Sequence, residues 1–207
     1  MLFQLLFDNP LVFVFVALAL VASISIHEFA HAYVADKLGD GTARALGRVT
    51  LNPLAHLDPI GTLLLLFAGF GWGRPVPFNP YNLQNPKRDG ALIALAGPVS
   101  NFVLAILLSL IFRVLPLTPA TAVFGLFIYL TVTYNIILGV FNLIPIHPLD
   151  GFKIVNGVLP PHLSLQWQQT AQFGVFILLF LVITRTTGML IDPVINFFLT
   201  ILGFPVL

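Results

Sequence analysis

Apolar residues fill this chain in long runs, and polar residues collect in a few clusters between them. A membrane-spanning helix needs about 20 predominantly apolar residues. Leu11–Val34, Gly90–Leu115 and Ala120–Phe141 reach that length. Gln172–Ile183 and Met189–Leu202 predict two more helices or a helical hairpin. Ile60–Gly71 is apolar but too short to cross easily, which predicts a re-entrant segment. Ala35–Pro59 is the most polar stretch and carries Asp36, Lys37, Asp40, Arg44, Arg48 and Asp58. With β-branched Val49 and Thr50 it predicts loops and short strands. Gly71–Pro86, rich in Gly, Pro and Asn, predicts loop or extended chain. The expected fold class is an all-α polytopic membrane protein with about four to six transmembrane helices. Short β-strands or re-entrant loops are expected near its cytoplasmic side. No internal repeat or second soluble segment interrupts it, so residues 1–207 predict one membrane-embedded domain.

Composition agrees with lipid as the solvent. The chain is 58% hydrophobic and 8% charged, whereas a soluble domain carries roughly 25% charged residues. A net charge of +1 offers nothing to nucleic acid. There is no cysteine, so disulfides, thiolate ligands and a cysteine nucleophile are excluded. The first apolar run lacks a basic segment before it and a good cleavage site after it, which predicts a retained helix rather than a signal peptide. If that helix ends in the cytoplasm, Lys37, Arg44, Arg48, Arg74, Lys87, Arg88 and Lys153 are cytoplasmic, while Arg113 and Arg185 fall outside. His27, His31 and Asp150 then lie toward the cytoplasmic ends of their segments, at one depth.

The chemistry centres on His27-Glu28-Phe29-Ala30-His31. Positions i and i+4 share a helix face, so both imidazoles can reach one metal ion. Glu28 stands beside them, placed to take a proton from an attacking water rather than to ligate. Soluble helices carry this pattern by chance, but each ionisable group inside a membrane costs on the order of a few kcal/mol and is usually functional. Zn²⁺ accepts nitrogen and oxygen donors, and a catalytic site keeps three protein ligands. Asp150 is the candidate third ligand, in an apolar segment broken by Pro145 and Pro148. It reads equally well as the N-cap of a helix through Phe152–Val158.

These residues resemble the site-2 protease family of intramembrane zinc metalloproteases. The resemblance rests on His27-Glu28-Phe29-Ala30-His31, on Gly97-Pro98-Val99-Ser100-Asn101, and on the run from Asn142 through Pro145 and Pro148 to Asp150-Gly151. The segments Asn52–Thr62 and Gly73–Pro80 are similar to ones in its compact members, and the likeness is to the form lacking PDZ and CBS domains. It implies that His27, His31 and Asp150 bind Zn²⁺, that Glu28 is the general base, and that Asn142 meets the substrate backbone or the developing oxyanion. Asn142 also reads as a residue that satisfies carbonyls freed by the proline break. The family usually has Pro where this chain has His147. His147 is expected to be a loop residue without a metal role, His56 an ordinary exposed histidine of a polar loop, and His162 a surface residue.

The implied activity is hydrolysis of peptide bonds within or near transmembrane segments, in regulated intramembrane proteolysis, with a membrane protein and the bilayer as partners. A helix hides its carbonyls in hydrogen bonds, so the substrate is expected to bind extended. Val49–Leu51 and Val76–Phe78 are the expected strand edges for it. Two other readings are an inactive relative that binds transmembrane segments, which the intact Glu28 opposes, and a zinc transporter, which the lack of a second His-bearing helix opposes.

Overall fold

Asparagine or aspartate followed by proline opens the helices that begin at Pro10, Pro59 and Pro86. Proline at the first helical position sacrifices no helical hydrogen bond, and the Asx side chain before it caps a free amide. A computed structural model describes residues 2–68, 71–116, 118–184 and 186–205. Its helices are α1 (Leu2–Asp8), α2 (Pro10–Lys37), α3 (Thr42–Ala45), α4 (Pro59–Ala68), α5 (Pro86–Val114), α6 (Ala122–Asn142), α7 (Asp150–Val158), α8 (Pro161–Gln169), α9 (Ala171–Ile183) and α10 (Thr186–Leu202). Asn9 accepts the Val12 amide at 3.3 Å to start α2, and Asp58 accepts the Gly61 amide at 2.7 Å to start α4. At α5 the Asp89 carboxylate instead accepts the Asn85 amide at 2.8 Å. That cap and Pro86 start α5 ahead of the expected Gly90.

Helices α2, α5 and α6 are long and apolar enough to cross a membrane, and α8 with α9, bent by 56°, is a fourth span if taken together. Helix α10, at 17 residues, is next in length. The low end of the expected number of spans is therefore met among the described residues. Helix α4 has ten residues and cannot cross alone. Residues 69 and 70 of the expected re-entrant segment lie outside the described residues, as does Arg185.

Helices in lipid pack through close contact rather than water exclusion, which favours small residues at their interfaces. On α2 the stripe Val16, Ala19, Ser23, His27, His31 and Ala35 is buried, and its small members let α5 and α6 approach. A core of Ala105, Ile128, Val132, Ile136, Ile195 and Leu199 joins α5, α6 and α10. Val103, Leu107, Leu110, Phe176 and Phe180 remain exposed, as lipid-facing residues do.

The expected strands at Val49–Leu51 and Val76–Phe78 do not form. Among the described residues the β contact is one isolated antiparallel bridge between Leu57 and Gly73. Val49 and Thr50 sit in a bend. Pro75 and Pro77 have no amide to donate, and the Val76 amide is spent on Glu28.

Candidate metal centre

One helix stripe and one helix start build the centre. His27 and His31 share the buried stripe of α2, one turn apart. Asp150 is the first residue of α7, and Leu149 takes the N-cap position. The N-cap reading of Asp150 is thus replaced. Its carboxylate turns toward α2, with Oδ2 3.1 Å from His27 Nε2 and 3.2 Å from His31 Nε2. The two Nε2 atoms are 3.0 Å apart, and all three residues are buried. Gly151 makes this turn possible, because a Cβ there would meet the Leu143 and Ile144 carbonyls.

Hydrogen bonds behind the rings set their tautomers. His31 Nδ1 lies 2.6 Å from the Ile93 carbonyl of α5, which only accepts, so Nδ1 carries the proton. His27 Nδ1 lies 2.6 Å from Asn101 Oδ1 and donates likewise. Both Nε2 lone pairs then point at the Asp150 carboxylate. Three electron-pair donors converge on one point. Zinc bonds of about 2 Å in a tetrahedral shell place ligand atoms about 3.3 Å apart, close to the observed spacings. The residues present fit Zn²⁺.

Glu28, between the two histidines, does not join this cluster. Its Oε2 accepts the Val76 amide at 3.1 Å. Its Oε1 faces the space beside Gly73, where a Cβ would be 3.6 Å away. The segment carrying Val76 is held from below. The buried Arg48 guanidinium donates to the Arg74 and Pro75 carbonyls, and the Arg74 amide donates to the His56 carbonyl at 2.7 Å.

His56 corrects an expectation: it is fully buried, with Nε2 2.7 Å from the Thr50 carbonyl. The backbone of Thr50 comes round to pair with its ring, a contact that local composition does not reveal. His147 is partly buried against Phe152, edge to face at 5.5 Å, and does not join the cluster. His162 is exposed. Asn142 ends α6 with its amide donating to the Leu138 carbonyl at 3.0 Å, and it makes no hydrogen bond to His27, His31 or Asp150. Sequence reasoning overlooked Asn135, Ser23 and Arg48 as supporting residues and gave Asn101 no role. For Asn101 and Asn135 a signal was present: a buried amide in a spanning helix needs a partner.

Residues 117–182 match the family model described as Peptidase family M50. The chain is similar to a Bacillus subtilis protein named "Putative zinc metalloprotease YwhC", at 38% identity over 88% of this chain and 86% of that one. It is similar to the Mycolicibacterium smegmatis "Putative zinc metalloprotease Rip2", at 34% identity over 84% of this chain and 68% of the relative. The Methanocaldococcus jannaschii "Zinc metalloprotease MJ0392" is 26% identical over 73% of this chain and 36% of the relative. No solved structure matches.

Proposed function

The chain belongs to peptidase family M50, the site-2 proteases, and is thereby a zinc metalloprotease; from that premise we propose that it cuts other membrane proteins within or beside their transmembrane segments. His27, His31 and Asp150 hold the zinc and Glu28 is the general base. The observation that carries this reading is the meeting of two histidines and an aspartate, all buried, with every ligand atom within 4.8 Å of the others. His27 and His31 lie on a span long enough to cross a bilayer, and Asp150 reaches them from the short α7, so a peptide bond that reaches them has entered the protein from lipid or its edge.

Bound zinc supplies Lewis acidity to the scissile carbonyl and lowers the pKa of water toward about 7. The remaining steps belong to the chain. Asn101 and the Ile93 carbonyl keep both imidazole protons on Nδ1, so Nε2 stays free to ligate. The Val76 amide orients the Glu28 carboxylate through Oε2, which leaves Oε1 to receive a proton from the attacking water and return it to the leaving amine. Asn142 is the proposed contact to the substrate backbone, reached when its amide leaves the Leu138 carbonyl.

Charge favours one orientation. Lys37, Lys87, Arg88 and Lys153 lie on the helix ends nearest the histidines, and Arg113 lies at the far end of α5. The positive-inside rule puts the site toward the cytoplasm. Cleavage there fits the release of membrane-tethered regulators, the step that defines regulated intramembrane proteolysis. The test is turnover of a single-span reporter by purified protein in detergent or liposomes, beside Glu28→Gln. Product from the wild type alone is expected. Equal product from Glu28→Gln would overturn the reading.

A further inference from the structure

Ser23 of α2, Asn101 of α5 and Asn135 of α6 are each fully buried, and they meet between the three spanning helices. Small apolar residues would pack such an interface at lower cost, because amides in lipid are expensive. Their hydrogen bonds form a directional chain. Asn135 Nδ2 lies 2.8 Å from the Thr131 carbonyl, which only accepts, so the NH2 group of Asn135 must face that side. The same Nδ2 donates to Ser23 Oγ at 2.7 Å. Ser23 Oγ in turn donates to the Ala19 carbonyl at 2.6 Å, so it is an acceptor toward Asn135.

Asn135 Oδ1 is then aimed at Asn101, and it accepts from Asn101 Nδ2 at 2.8 Å. The Ser23 carbonyl takes the other hydrogen of that NH2 at 3.2 Å. Asn101 Oδ1 is left facing His27 Nδ1 at 2.6 Å. Each donor has one acceptor, and reversing any amide sets hydrogen against hydrogen somewhere in the chain. His31 needs no such relay, because a backbone carbonyl fixes its proton. His27 depends on side chains alone.

We propose that Asn135 is a positioning residue for the metal centre: through Asn101 it locks the proton of His27 on Nδ1 and keeps Nε2 free for zinc. The inference rests on the reading of His27 as a ligand. Without Asn135 Oδ1, the Asn101 amide loses its stronger anchor and can turn its NH2 toward His27. The imidazole proton then moves to Nε2 and points into the site.

The experiment is chelator competition for zinc with the full chain in detergent, using Asn135→Leu, Asn101→Leu, the double variant, and Thr133→Val as a control. Thr133 is buried on the same helix but outside the relay. Outer-shell partners of metal-bound histidines are worth about 10- to 100-fold in affinity. Asn135→Leu is expected to weaken zinc binding about tenfold, with no further loss when added to Asn101→Leu and no change in Thr133→Val. General loosening of the helices would weaken zinc while leaving the His27 proton on Nδ1, and that result overturns the proposal, as does unchanged affinity in Asn135→Leu.

If Asn135→Leu does not fold, the smaller Asn135→Ala takes its place and is expected to weaken zinc in the same direction; unchanged zinc affinity overturns the proposal. Imidazole nitrogen-15 shifts of metal-free protein, assigned to His27 with a His27→Gln control, separate the two readings. They are expected to show Nδ1–H in the wild type and its loss in Asn135→Leu. If the wild type binds no zinc, the ligand assignment fails, and the proton on His27 still decides the relay.

Discussion

Gly97 of α5 lies directly against the His27 imidazole: a Cβ at this position would stand 2.6 Å from His27 Nε2. Carbon and nitrogen do not approach that closely without a bond, so glycine is required here for its lack of a side chain. The neighbouring Pro98 removes an amide from the same turn of α5. The pair places a bare, interrupted stretch of helix beside the two imidazoles.

Gly97→Ala is therefore expected to act on the metal before the fold. The atoms in its way are the tips of two side chains, which can swing aside, while the helix backbones need not move. Zinc affinity should fall about tenfold or more, with thermal unfolding of the metal-free protein changed little. Unfolding without any loss of zinc affinity in the remaining folded protein would show that Gly97 serves packing alone.

Asp150→Ala removes one of three converging donor atoms, the proposed zinc ligands, and leaves two histidines one turn apart. The wild type is expected to hold about one zinc per chain, as a site with three protein ligands does. The variant should lose most of it on dialysis. Metal analysis of both proteins reads this without any knowledge of the substrate. Equal zinc in the two would remove Asp150 from the ligand set.

The motif on α2 was legible because spacing and composition act together: His27 and His31 on one face of an apolar helix have few uses other than metal. Asp150 is 123 positions away from His27, and local sequence left it balanced between ligand and N-cap. Family resemblance suggested the metal role, and the turn at Gly151 brought the carboxylate to the histidines. Strand edges were misread because β-branched residues at Val49 and Thr50 outweighed the prolines nearby. The Ser23–Asn101–Asn135 relay was hidden for a different reason. One polar residue per helix marks that something is satisfied, but which helices meet is set by packing across the whole bundle.

Glu28→Gln separates chemistry from metal binding. The amide keeps the shape of the side chain, and Glu28 is outside the ligand cluster, so zinc content is expected to match the wild type. The proposed general base is lost, and a positioned base contributes typically 10²- to 10⁴-fold. Turnover of a reporter should fall by roughly that range, measured at a single substrate concentration well below saturation. Loss of zinc together with activity would mean that Glu28 ligates or supports the site structurally.

Stability against acid is expected to depend on Asp40, which is fully buried just beyond the end of α2. Burial alone would push its carboxyl up. Bonds from the Thr42 hydroxyl, the Asn82 amide at 2.8 Å, the Asn79 backbone amide at 2.6 Å and the Thr42 backbone amide outweigh that and hold it below its usual value. These bonds tie the end of α2 to the loop that leads toward α5. The folded pKa lies below the unfolded one, so the stabilisation is fully present above the unfolded value, near 4. It is lost as pH falls through the folded value, because the unfolded chain takes up the proton first. Asp40→Asn presents an NH2 group to donors and should cost about 1–3 kcal/mol at neutral pH. Denaturation of both proteins from pH 7 to pH 3 is expected to show the gap between them shrinking only below about pH 4. A gap that stays constant to the lowest pH would mean the charge on Asp40 is not what binds the loop to the helix.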